Sequence, residues 1–146
     1  MTSMTTIPAL LAESRIIAVV GLSAHANRPS HEVAAYLQSK GYRIIPINPT
    51  YAGSTILSEH CYPTLTSAAK MLSEEGQAID IVDCFRRPEH MASIVEEAIA
   101  VGARCVWMQL GIVEPMAAAA AEKGNLQVVM DKCIMIEHRK SNQGNS

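Results

Sequence analysis

The chain has 146 residues, of which 49% are hydrophobic and 18% charged; 12 Lys and Arg face 14 Asp and Glu, for a net charge of −2. That length is one domain's worth, long enough to bury a single core without disulfide or metal staples. With no positive field and only one Trp, four Tyr and one Phe, a nucleic-acid binder built on charge or on base stacking is excluded.

Residues 1–6 lack the basic-then-apolar pattern of a signal peptide. The first β-rich run is Ile16–Val20, followed by a polar loop from Gly21 to Ser30. Val33, Ala34 and Leu37 form a helical stripe, closed by Gly41. Ile44–Ile47 reads as the second strand, with Pro46 predicting an edge or an irregularity there because it has no N–H to give. Pro49 to Leu65, rich in Gly, Ser, Thr and Pro, reads as a long connection, and a short helix is expected over about Ser67 to Glu75. Ile79–Cys84 is the third strand. Met91, Ile94, Val95, Ala98 and Ile99 then recur at helical spacing up to Gly102. Cys105–Met108, the alanine run Met116–Ala121 closed by Gly124, and Gln127–Met130 complete the alternation. The polar residues 139–146 are expected to be a frayed tail, as are residues 1–6.

Runs that are apolar throughout suit strands covered on both faces, and three repeats of helix, glycine and strand indicate βαβ units. The chain is therefore read as one α/β domain over 1–146: a Rossmann-like, doubly wound parallel sheet of about five strands with helices on both faces. No apolar run approaches a membrane span of about 20 residues. Cys61, Cys84, Cys105 and Cys133 are widely spaced, with no Cys-x-x-Cys pair or Cys/His cluster. These features predict a cytoplasmic protein with free thiols and no metal site.

In such a sheet the ligand lies beyond the carboxyl ends of the strands, where strand order reverses. The loop Gly21–Ser30 carries most of the information. Pro29 suits a first helical turn and Ser30 a cap, Ser23 and Asn27 add neutral polar groups, and Arg28 supplies a fork matched to phosphate. A polar helix cap with a solvated arginine explains the same residues. The P-loop and Gly-x-Gly-x-x-Gly patterns are absent. The second strand ends Ile47-Asn48-Pro49, without the acid that holds the ribose of NAD. Arg28, Arg86, Arg87 and Lys132 all fall at strand carboxyl ends, as a polyanionic ligand requires, although Glu89 and Asp131 are near enough to pair with them. No catalytic constellation assembles. Asp83 reads as a buried, hydrogen-bonded strand residue and Cys133, beside Lys132, as an ordinary small side chain.

The strings Val20-Gly-Leu-Ser23, Arg28-Pro-Ser30, Gly41-Tyr-Arg-Ile-Ile-Pro-Ile-Asn-Pro49, Tyr62-Pro-Thr-Leu65, Asp80-Ile-Val-Asp-Cys-Phe-Arg-Arg-Pro88, Trp107-Met-Gln-Leu-Gly111 and Val129-Met-Asp-Lys-Cys133 occur in that order. Together they resemble the small stand-alone CoA-binding proteins of the YccU type, which are similar in fold to the CoA-binding domain of the succinyl-CoA synthetase α subunit. The resemblance spans about Ile7 to His138. It implies a domain that binds coenzyme A, or an acyl-CoA, without a reaction of its own. Gly21, Ser23, Arg28 and Ser30, with Pro29 between them, would then hold the pyrophosphate and a neighbouring phosphate. Asn48 and Pro49 would border the adenosine, Phe85 and Arg86 would line the next strand end, and Gln109, Leu110 and Gly111 would sit where the pantetheine arm emerges. Cys84 before Phe85 departs from the family pattern. The loop for the synthetase's phosphorylated histidine and an ATP-grasp region are both missing. The alternatives are an NAD(P)-binding oxidoreductase, or a CoA-ligase or transferase subunit that needs a partner chain; a protein partner is not specified.

Overall fold

Five short runs, β1 (Ile16–Val20), β2 (Arg43–Ile47), β5 (Ile81–Cys84), β6 (Cys105–Met108) and β7 (Gln127–Val129), pair in parallel in the order β2-β1-β5-β6-β7 in the computed structural model, which describes residues 5–143. Every residue of β1, β5 and β6 is buried, because helices cover both faces. Ala18, Val20, Val82, Cys84, Val106 and Met108 pack on one side against α3 (Leu65–Glu74), α4 (Met91–Ala100) and α5 (Pro115–Lys123). Ile17, Val19, Ile81, Cys105 and Trp107 pack on the other against α1 (Ile7–Glu13), α2 (Pro29–Ser39) and α6 (Ile134–Gln143). This is the doubly wound α/β architecture expected from the sequence.

Pro46 lies in the edge strand. Arg43 N–H donates inward to Arg15 O and Ile47 O accepts inward from Gly21 N–H, so the alternate position, Pro46, turns its missing donor away from the sheet. Its carbonyl accepts outward from Tyr62 N–H at 3.0 Å. The third central strand starts at Ile81 rather than Ile79. Asp80 instead spends its carboxylate on the backbone N–H groups of Arg15 and Ile16, at 2.8 and 3.0 Å, fixing the start of β1.

Two expectations are corrected and a third is refined. The glycine rule fails at the end of α5: Gly124 has φ −85° and Asn125 takes the left-handed turn at +70°. A Cβ on Gly124 would lie 2.6 Å from the Ile99 side chain, so that glycine serves helix packing. Residues 139–143, expected to fray, are the last turns of α6, and Thr6 caps α1 by accepting Ala9 N–H; residues 1–4 and 144–146 lie outside the described residues. The long connection after β2 carries structure of its own. It contains a 3₁₀ turn, Pro49–Tyr51, and a hairpin of β3 (Thr55–Ile56) and β4 (Glu59–His60).

The hairpin turn places Leu57 and Ser58 at φ +52° and +66°, the geometry normally given to Asn-Gly. Gln38 holds it by donating to Leu57 O at 2.7 Å. Relief of a left-handed serine is worth about 1 kcal/mol, so Ser58→Gly should raise the urea-unfolding free energy by roughly that amount. No change would mean that the turn relaxes at no cost.

Candidate functional site

The chain leaves β1 towards β2 on one side and reaches β5 on the other, so the loops after β1 and β5 diverge and open a crevice at their carboxyl ends. Gly21 makes the crevice possible. Its φ is +90°, and a Cβ there would lie 2.7 Å from Phe85 O and 3.2 Å from Phe85 C. The two loops therefore meet backbone to backbone.

Beyond Gly21 the loop is braced from inside. Ser23 N–H donates to Ser30 Oγ, and Ser23 Oγ accepts from His25 N–H, both at 3.0 Å. The buried Asn48 donates through Nδ2 to Leu22 O and accepts Thr50 N–H on Oδ1, again at 3.0 Å. Ser30 is thus a loop brace and not the cap expected of it. Arg28 occupies the cap position of α2, and no side chain caps that helix. At the start of this eleven-residue helix, beside the crevice, Pro29 has no N–H, and His31 and Glu32 N–H both donate to Arg28 O at 3.1 Å. This leaves Ser30 N–H as the first-turn amide without a protein acceptor among the described residues. An anion would supply what the chain omits.

Three adjoining hollows share Phe85 as a wall. One of about 320 Å³ is lined by Gly21, Ser23, Arg28, Pro29, Ser30, Asn48 and Tyr51. A second, about 420 Å³, brings Arg28, Arg86, Arg87 and His90 around Gly21 and Asn48. A third, also about 420 Å³, runs from Pro29 and Arg86 past Gln109, Leu110 and Gly111. Pro49 lines a smaller recess of about 130 Å³ with Arg86 and His90. All twelve residues singled out from the sequence therefore border one continuous edge of the sheet. Lys132, grouped with the arginines on sequence position, lines none of these hollows.

Arg86 Nη2 is 3.4 Å from His90 Nε2. Arg87 pairs with Glu89 at 3.6 Å, both side chains well exposed (83% and 65%); such a pair contributes little and yields readily to a better anion. Tyr51, Thr50, His90 and Val33 are not among the residues that the sequence singles out. Tyr51 and Thr50 directly follow the second strand's end, a position signal, and Ile112 belongs to the loop after β6, whereas Val33 reaches the site only through tertiary packing.

The far end is tied by hydrogen bonds. Gln109, buried, accepts Ile134 N–H on Oε1 at 3.1 Å, so it caps α6. Gly111 N–H donates to Asp131 Oδ1 at 2.8 Å, and the buried Trp107 indole donates to Lys132 O at 2.8 Å. Cys133 is buried and lines the third hollow.

Asp83 corrects another expectation. It sits on the sheet face of Ile81, in register with Val19 and Trp107, and is fully buried. Neither carboxyl oxygen has a hydrogen-bond partner among the described residues. Burial pushes its pKa well above the usual carboxylate range, so the group is held as the neutral acid. Burial, with Asp83 as a smaller contributor, also raises the Cys84 thiol and pushes Cys105 up to about 12, leaving both unreactive. Among the described residues no group of three His, Cys, Asp or Glu could hold a metal ion.

A family model described as "CoA binding domain" matches residues 15–139. The chain is 36% identical over 129 residues to the uncharacterized protein YneT of Bacillus subtilis (strain 168), covering 88% of this chain and 89% of that one. A solved structure of cell-free ID.343 from Thermus thermophilus is similar at 32% identity and TM-score 0.82, covering 91% of this chain and 94% of that one. A hypothetical protein from Pyrococcus horikoshii OT3 is similar at the same identity and TM-score, covering 93% and 89%.

Proposed function

We propose that this chain, which belongs to the CoA-binding domain family, works as a single binding domain for coenzyme A and has no reaction of its own. The observation that carries the reading is the uncapped N-terminus of α2 with Arg28 at its cap position, facing the same crevice as Arg86 and Arg87. In it, the pyrophosphate lies over Gly21–Ser30, the adenosine beside Asn48 and Pro49, and the pantetheine arm leaves past Phe85 towards Gln109, Leu110 and Gly111. Three arginines and a histidine around one hollow suit a nucleotide with an extra phosphate. NAD is the weaker fit. The residue where an acid would hold its ribose is Asn48, and both ends of that amide are already bonded to backbone.

Four buried free cysteines are consistent with a reducing cytoplasm. No helix among the described residues is long and apolar enough to cross a membrane.

Calorimetric titration of the reduced protein with CoA, dephospho-CoA, NAD and NADPH tests the reading. CoA should bind well ahead of dephospho-CoA, because the arginines meet the 3′-phosphate. NADPH binding without CoA binding would transfer the site to an oxidoreductase. Arg28→Ala should weaken CoA more than tenfold, about 1.4 kcal/mol, with an unchanged circular-dichroism spectrum, since the side chain is exposed and makes no cap. An unchanged dissociation constant would remove Arg28 from the phosphate site.

A further inference from the structure

The third hollow differs in chemistry from the other two. Val33, Phe85, Pro88, Leu110, Ile112 and Cys133 contribute most of its wall. Two polar groups that reach it from the β6 loop are already used: Gln109 Oε1 on Ile134 N–H and Gly111 N–H on Asp131 Oδ1. What remains is mostly hydrocarbon and sulfur, with the Nε2 of Gln109, which makes no hydrogen bond among the described residues, and Arg86 and Arg87, which also line the second hollow. Such a wall gains from excluding water with apolar atoms and has few partners for polar ones. A bare thiol would leave most of it wet.

We infer that this hollow receives the acyl group of a short aliphatic acyl-CoA, so that the thioester and not free CoA is the preferred ligand. The inference rests on the CoA reading above and adds the class of acyl group. The size sets the limit. At roughly 30 Å³ of liquid volume per water-sized group, about 420 Å³ holds on the order of a dozen such groups. That accommodates the end of the pantetheine arm and a chain of about two to six carbons. A dicarboxylic acyl group fits less well, since Arg87 is exposed and paired with Glu89, and Arg86, the other cation of the wall, is shared with the second hollow, where the proposed phosphates lie.

The test is calorimetric titration with CoA and with acetyl-, butyryl-, hexanoyl- and succinyl-CoA, with thioester integrity checked by mass after each run. Each buried methylene should tighten binding about fourfold, so butyryl-CoA should bind roughly fifteenfold more tightly than acetyl-CoA and ahead of succinyl-CoA. Ile112→Asn should flatten the ratio of butyryl-CoA to CoA affinity measured within that variant. Ile112→Ala reads the same ratio if the polar substitution fails to fold. Equal affinity for CoA and butyryl-CoA, or succinyl-CoA ahead of butyryl-CoA, would overturn the acyl inference and leave the CoA reading standing. A folded protein that binds none of the five would overturn both.

Discussion

Gly21→Ala is expected to cost about 2–5 kcal/mol of folding free energy, the sum of a left-handed residue gaining a Cβ and an overpacked contact. The two contributions can be separated within the same molecule. Gly41 has φ +100°, close to the +90° of Gly21, but a Cβ there would meet nothing within 4 Å. Gly41→Ala therefore reports the conformational cost alone, and the excess loss in Gly21→Ala reports the 2.7 Å approach to Phe85 O. Urea unfolding of both variants should differ by about 1–3 kcal/mol. A carbonyl cannot rotate aside as a side chain can, so the strain would be relieved by parting the loops after β1 and β5. CoA affinity should consequently fall in Gly21→Ala and hold in Gly41→Ala, which is remote from the crevice. Equal destabilisation by the two substitutions would mean that the loops part freely and that the crevice is not shaped by this contact.

The position of the crevice was legible because it follows from topology. Once the apolar runs Ile16–Val20 and Cys105–Met108 are read as buried parallel strands, the loops at their carboxyl ends must share an edge. Local roles were less legible. Ser30, next to a proline at a helix start, has the composition of a cap. It became a brace because the loop folds back and delivers Ser23 N–H to it, a contact that spacing does not encode. Leu57-Ser58 has no turn signature. The hairpin forms there because Ile56 is buried and Gln38 on α2 holds the turn's carbonyl, so tertiary contacts override local preference. Gly124 shows the same limit in reverse: the sequence marks a helix end, but which of Gly124 and Asn125 turns left-handed depends on Ile99 in another helix. Asp83 is the sharpest case. Its burial follows from a strand covered on both faces, whereas the lack of any partner depends on what Val19 and Trp107 place beside it.

That orphaned carboxyl makes stability depend on pH in an unusual direction. The native state holds Asp83 protonated well above the usual carboxylate range, whereas the unfolded chain releases the proton near pH 4. Between these two values the native state binds the extra proton, so unfolding becomes easier as pH rises, by up to about 1.4 kcal/mol per pH unit. Below the unfolded value both states are protonated and the effect vanishes. Asp83→Asn keeps the shape and removes the titration. Urea unfolding at a series of pH values from about 4 upward should therefore show wild type losing ground to the variant as pH rises. Asp83→Val goes further by deleting a desolvated polar group between Val19 and Trp107, and should stabilise the protein by about 1–3 kcal/mol at neutral pH. Parallel pH profiles for wild type and Asp83→Asn would show that the carboxyl ionises in the folded state at its ordinary pH. Because β5 leads directly into Phe85 and Arg86, CoA affinity measured alongside distinguishes a purely structural acid from one that sets the site. Unchanged affinity in both variants, with the stability gain intact, would assign Asp83 to the core alone. A loss of affinity despite the gain would mean that the buried acid is retained at the expense of stability to hold the binding loop in place.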